Sequence, residues 1–189
     1  AAKPHEGIDP VLIGAHIVTA LQSIASRNVD PLKSVVVSNT IFQAGEAQNV
    51  IPQRAVLRGT VRTLDNSIRD IAEARFRAIV EGTAKMFGAE AHLDYRRGYP
   101  ATVNHPRETV FATKIARSVA GHDAVDDDAA PTMGGEDFSY MLEARPGAFI
   151  FIGNGDSAGL HHPAYDFNDD VLSVGIQYWA EVAKARTAA

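Results

Sequence analysis

Two runs, Lys33-Ser34-Val35-Val36-Val37-Ser38-Asn39-Thr40-Ile41-Phe42-Gln43 and Ala55-Val56-Leu57-Arg58-Gly59-Thr60-Val61-Arg62, decide the fold of the first hundred residues. The first is dense in β-branched side chains, which fit a pleated surface better than a helix. The second alternates Ala55, Leu57, Gly59 and Val61 with Val56, Arg58, Thr60 and Arg62, the period-two pattern of a strand with one polar face. A turn around Gly45 joins them and leads through Asn49-Val50-Ile51-Pro52.

Helical signals flank this pair. Asp9-Pro10 supplies an N-cap and a first-turn proline, predicting a helix over 10–27 with Val11, Ala15, Val18, Leu21 and Ala25 as its apolar stripe. Asp65-Asn66 caps a second helix with the stripe Ile68, Ala72, Phe76, Ile79, Thr83 and Met86, and Gly88 stops it. Ala91, Leu93 and Tyr95 then alternate with His92, Asp94 and Arg96, predicting a third strand. The order is α-β-β-α-β, and one strand in front would complete the ferredoxin-like βαββαβ sandwich. With Ala1 in place of an initiator methionine, the expectation is a piece of a longer polypeptide that lacks this first strand.

Gly98 to Asn104, with Pro100, has the composition of a linker, so two domains are expected, 1–101 and 102–189. Pro106 opens a third helix reaching about Gly121, and the acidic segment Asp123 to Asp128 is a solvated loop. The apolar run Ala148-Phe149-Ile150-Phe151-Ile152 predicts a strand buried on both faces, as in an α/β sheet. Asp169-Asp170 caps a last helix whose expected core stripe is Leu172, Ile176, Trp179 and Ala183. The fold class is α/β, with an α+β first domain.

Composition narrows the function. Hydrophobic content of 46% with 22% charged residues is that of a folded globular chain. A net charge of -5 argues against a nucleic-acid or anionic-membrane surface, and no run approaches the length of a membrane span. Zero cysteines exclude a disulfide frame and a thiol nucleophile, which fits a cytoplasmic protein.

Chemistry concentrates in two knots. Gly159-Leu160-His161-His162-Pro163-Ala164-Tyr165 places two imidazoles just past the 148–152 run, and imidazole is the commonest neutral metal ligand near pH 7. One histidine makes no metal site, because hydrolytic zinc takes three protein ligands and a water. Met133-Gly134-Gly135-Glu136-Asp137-Phe138 offers a glycine turn that a ligand can approach, or simply a helix start whose acids offset the dipole. In the first domain Asn49 can donate and accept, and Arg62 can grip a carboxylate bidentately; a turn-capping Asn and a surface Arg are the plainer alternatives. No phosphate loop, G-x-S-x-G elbow or H-E-x-x-H helix is present.

In this order and spacing, Pro4-His5 with Asp9-Pro10, Asn49-Val50-Ile51-Pro52, Gly59-Thr60-Val61-Arg62, Met133 to Phe138 and His161-His162-Pro163-Ala164-Tyr165 resemble the aminoacylase and carboxypeptidase G superfamily of metal-dependent amidohydrolases, in its hippurate hydrolase and N-acyl-amino-acid branch. The resemblance implies that residues 1–101 are most of a lid that makes a homodimer. Residues 102–189 would be the C-terminal part of a zinc-peptidase-like α/β/α catalytic domain. It further implies hydrolysis of N-acyl or N-aroyl amino acids by a water that two divalent ions (Zn, Mn, Co or Ni) activate. By motif position His161 matches a metal ligand, whereas His162 occupies a slot that is often not one. Asn49 and Arg62 match lid positions that reach substrate, generally in the partner subunit, and Gly134 matches the segment lining the acyl or carboxylate pocket. The family's other ligands and its general-base glutamate match nothing in this chain, so no catalytic residue is assigned here, and the chain alone is expected to be inactive and metal-free. The competing expectation is a dimerising or ligand-binding module without catalysis.

Overall fold

A computed structural model describes residues 1–188, which form two compact units: residues 1–101 with 133–135, and residues 102–132 with 136–188.

In the first unit, helix α1 (Pro10–Leu21) starts where Asp9 Oδ1 accepts from the amides of Val11 and Leu12, at 2.8 and 3.3 Å. Its helical course widens into a π-turn over Ile24–Asn28, so the chain stays helical about as far as expected. The buried stripe shares Leu21 with the predicted one, and Val18 is half-buried, but the rest differs. Ile13, Ile17, Leu21 and Ile24 face the core, whereas Val11, Ala15 and Ala25 are exposed. Both stripes have helical spacing, and the sheet takes the one with the larger aliphatic side chains. Gly14 lies on that buried face; a Cβ there would sit 2.7 Å from Phe42 Cζ, so the aromatic ring occupies the space a side chain would need.

Strands β1 (Val35–Ala44) and β2 (Ala55–Thr63) pair antiparallel, from Val35 opposite Thr63 to Ala44 opposite Ala55. A bulge between Asn39 and Ile41 gives β1 an extra residue opposite Gly59 and Arg58. Val37 is buried on the helix side, joined by the half-buried Val35, Leu57 and Val61. The other face, with Val36, Arg58, Thr60 and Arg62, lies open.

Helix α2 (Asn66–Met86) is capped by Asp65, whose Oδ1 accepts from the Ser67 amide and hydroxyl at 2.7 and 2.6 Å. These bonds hold the Asp65 carboxyl below its ordinary pKa. Ile68 and Ala72 are buried and Phe76 and Ile79 partly so, as predicted, but Val80 and Ala84 replace Thr83 and Met86 toward the C-terminus. The helix closes with Gly88 at φ 74°, its amide bonded to the Lys85 carbonyl and that of Ala89 to the Ala84 carbonyl.

The stretch predicted as a third strand forms no ladder. Leu93 and Tyr95 are half-buried and His92, Asp94 and Arg96 exposed, so the alternation survives, but the segment is held by side chains. The Tyr95 ring meets Phe76 edge-on at 5.7 Å, Arg97 pairs with Asp70 and Glu73 at 2.7 and 2.6 Å, and Arg69 Nη2 donates to the Gly98 carbonyl. A strand requires a neighbour for its amides and carbonyls. Among the described residues nothing pairs with this segment, and the sheet has two strands.

In the second unit, helix α3 (Pro106–Ala120) ends at Gly121, φ 92°, close to the predicted limit. Arg117 Nη2 ties the acidic loop to it through Asp127 at 3.0 Å. Helix α4 (Phe138–Ala144) follows the glycine pair, and helix α5 (Val171–Thr187) closes the chain. α3 and α5 pack together, with Arg186 Cζ 4.2 Å over the Phe111 ring. The run 148–152 is not the doubly buried strand expected: it has no ladder, Phe151 is 77% exposed, and Ile152 is exposed. Asn104 and His105 hold it instead. Asn104 Nδ2 donates to the Phe149 carbonyl and Asn104 Oδ1 accepts from the Phe149 amide, both at 2.8 Å, while at Gly147 the His105 amide donates to the carbonyl at 3.0 Å and His105 Nδ1 accepts from the amide at 3.2 Å. The stripe expected in the core of α5 is also exposed, with Ile176 at 70% and Trp179 at 66%, while Tyr178 on the other face is buried. No described helix is long and apolar enough to cross a membrane.

Candidate functional site

The His161 loop is built on asparagines. Asn154 Oδ1 accepts from the Asn168 amide at 2.8 Å, and its Nδ2 donates to the Asp166 carbonyl and the Ser157 hydroxyl at 2.7 and 2.8 Å. One carboxamide thus pins both ends of the excursion that carries the histidines. Two successive turns shape its tip, from the His162 amide to the Gly159 carbonyl at 3.1 Å and from the Tyr165 amide to the His162 carbonyl at 2.9 Å.

The two histidines differ. His162 Nδ1 accepts from the Ala164 amide at 3.0 Å, so half of that ring is used to hold the turn around Pro163. His161 is the one described non-glycine residue with positive φ, 66°. An L-residue in this region pays a steric cost that histidine bears better than β-branched residues do, and such outliers gather at functional sites. The His161 ring is exposed, and no hydrogen bond to it forms among the described residues.

The Gly134-Gly135 segment belongs to the first unit, forms no glycine-type turn, and lies against Arg62 on the open sheet face. A Cβ on Gly135 would stand 3.2 Å from Arg62 Cζ and 3.5 Å from Nη2, and closer still to Nη1. Arg62 is half-buried, and among the described residues it forms no ion pair. After this segment the chain enters α4, with Glu136 Oε1 accepting from the Phe138 amide at 3.2 Å and the buried Ser139 hydroxyl donating to the Glu136 carbonyl at 2.6 Å. Glu136 therefore serves the helix start, one of its two expected roles.

Asn49 lies exposed in the hairpin turn, its carbonyl accepting from the Ala1 ammonium at 3.1 Å. The strand from Ala55 to Arg62 spans about 23 Å, so Asn49 and Arg62 belong to opposite ends of the hairpin. Of the predicted residues, the fold brings together Arg62 and the Gly134 segment. The contact itself is made by Gly135, which the sequence did not single out and could not link to the distant Arg62. The bracing by Asn154 and Asn168 was missed too, because asparagines in a glycine-rich loop look like ordinary turn formers.

Residues 3–185 match the family model of peptidase family M20/M25/M40. The chain belongs to this family. Among curated relatives, an N-acetylcysteine deacetylase of Bacillus subtilis is 36% identical over 97% of this chain, and a hippurate hydrolase of Campylobacter jejuni 35% identical over 96%. A solved Bacillus subtilis structure, described as a dinuclear metal-binding peptidase of family M20, superposes with a TM-score of 0.71 at 34% identity, covering 93% of this chain and 46% of its own. This M20 chain spans about half the length of the curated relatives it matches, 47% of the deacetylase and 48% of the hippurate hydrolase.

Among the described residues no three of His, Cys, Asp or Glu come together to hold an ion. The groups present do not by themselves suit a metal pair.

Proposed function

We propose that this chain is the lid and C-terminal portion of an M20 amidohydrolase that cleaves the amide bond of N-acyl or N-aroyl amino acids. His161 is the observation that carries the reading: an imidazole without a partner among the described residues, held in left-handed backbone at the tip of a braced loop. In this reading it is one ligand of a divalent ion (Zn, Mn, Co or Ni), and the remaining ligands of the pair and the general base lie in the part of the family's length that these residues do not match. Arg62 receives the substrate carboxylate beside Gly134, a charge-assisted contact suited to a guanidinium.

Residues 1–101 are proposed as a ferredoxin-like lid through which two copies associate. The opposed positions of Asn49 and Arg62 support this, since one small ligand does not span a hairpin, whereas Asn49 of one copy can serve the site of the other. The test is His161→Ala in the longer enzyme. Loss of activity and of about half the bound metal, with the dimer intact, is the expected result; full metal-stimulated activity removes His161 from the ligand set. For a non-catalytic module, the same substitution would leave binding and assembly untouched.

A further inference from the structure

The contact between Gly135 and Arg62 carries one inference more. Arg62 stands on the open face of β2, in line with Thr60 and Arg58, half-buried and without a carboxylate partner among the described residues. Taking a guanidinium part-way out of water is unfavourable unless an anion meets it. Yet its side chain is long and flexible, with many rotamers open to it. Something must select the one rotamer that presents the fork to a ligand.

Gly135 occupies the place from which that selection can be made. The three atoms nearest an added Cβ are Arg62 Nη1, Cζ and Nη2, the far end of the side chain, with Nη1 too close to stay and Nη2 at ordinary contact. A methyl group there would displace the guanidinium first. We propose that Gly135 is the positioning residue for Arg62: the bare backbone at 135 is the rest on which the guanidinium lies, aimed at the carboxylate of a small N-acyl amino acid. This deepens the function proposed above and rests on its assignment of Arg62 to the substrate carboxylate.

The full 189-residue chain suffices for the test, with the Arg62 Nε–Hε resonance as readout. Without ligand, Gly135→Ala is expected to shift that resonance while the thermal midpoint stays at the wild-type value; Gly82→Ala, where an added Cβ meets nothing within 4 Å, is expected to leave it in place. On titration with N-benzoylglycine the wild-type resonance moves, and N-benzoylglycinamide, which lacks the carboxylate, leaves it unmoved. Gly135→Ala weakens N-benzoylglycine binding about tenfold or more, the scale of one charged hydrogen bond.

An Arg62 resonance identical in wild type and Gly135→Ala overturns the positioning role and leaves the carboxylate assignment standing. A wild-type resonance indifferent to N-benzoylglycine overturns the carboxylate assignment, a failure told apart because the ligand-free shift is measured with no ligand present. If Gly135→Ala does not fold, Arg62→Ala is read at the Gly135 amide instead: a displaced resonance supports the contact, and an unmoved one overturns it.

Discussion

His161 combines a backbone angle that L-residues avoid with a ring that nothing among the described residues engages. A backbone held this way is maintained by its surroundings, here the Asn154 carboxamide that joins the two ends of the loop. If the left-handed angle is imposed on the side chain, glycine at 161 relieves the Cβ clash and alanine does not. His161→Gly is therefore expected to be more stable than His161→Ala by about 1 kcal/mol, read as a difference in denaturation midpoint. Equal stabilities would show that the angle carries no strain. The histidine pair was legible in sequence as a pair. Which ring braces the turn and which stays available depended on φ at 161 and on the bond from Ala164 to His162, and neither follows from residue type.

The elements of the first unit follow local rules closely. Asp9 and Asp65 cap the helices they were expected to cap, and β1 and β2 form where the two strands were expected. Departures arise where an element depends on a neighbour. Residues 91–96 and 148–152 have strand composition but no ladder, because strand identity belongs to a pair of segments and composition describes only one. The 148–152 segment relies on Asn104, a half-buried carboxamide making two bonds to Phe149. Asn104→Ala is expected to cost about 1–3 kcal/mol through the stranded Phe149 amide and carbonyl. Amide exchange at Phe149 checks it, and a rate unchanged by the substitution would show that other contacts hold the segment.

At the scale of the whole molecule, the apolar stripe of α5 faces outward, with Leu172 and Ile176 exposed on the same side as Trp179. Trp179 is the single tryptophan of the chain, so its fluorescence reports on this face alone. Acrylamide is expected to quench it to nearly the extent seen for N-acetyltryptophanamide, and strong protection would mean that the stripe is covered in solution. Large apolar side chains in a row on one helix face are what a protein normally buries. The sequence identified that row correctly as apolar and assigned it to a core that the described residues do not build around it.

The amino-acid sequence by itself determined the family, the helix starts, the central hairpin and the residues worth watching, because caps, turn glycines and period-two alternation act through covalent neighbours. Tertiary structure decided which helix face is buried, which extended segments become strands, and that Gly135 meets Arg62. Those outcomes depend on groups far apart in the chain coming to share one space, and no local pattern encodes which of them will meet.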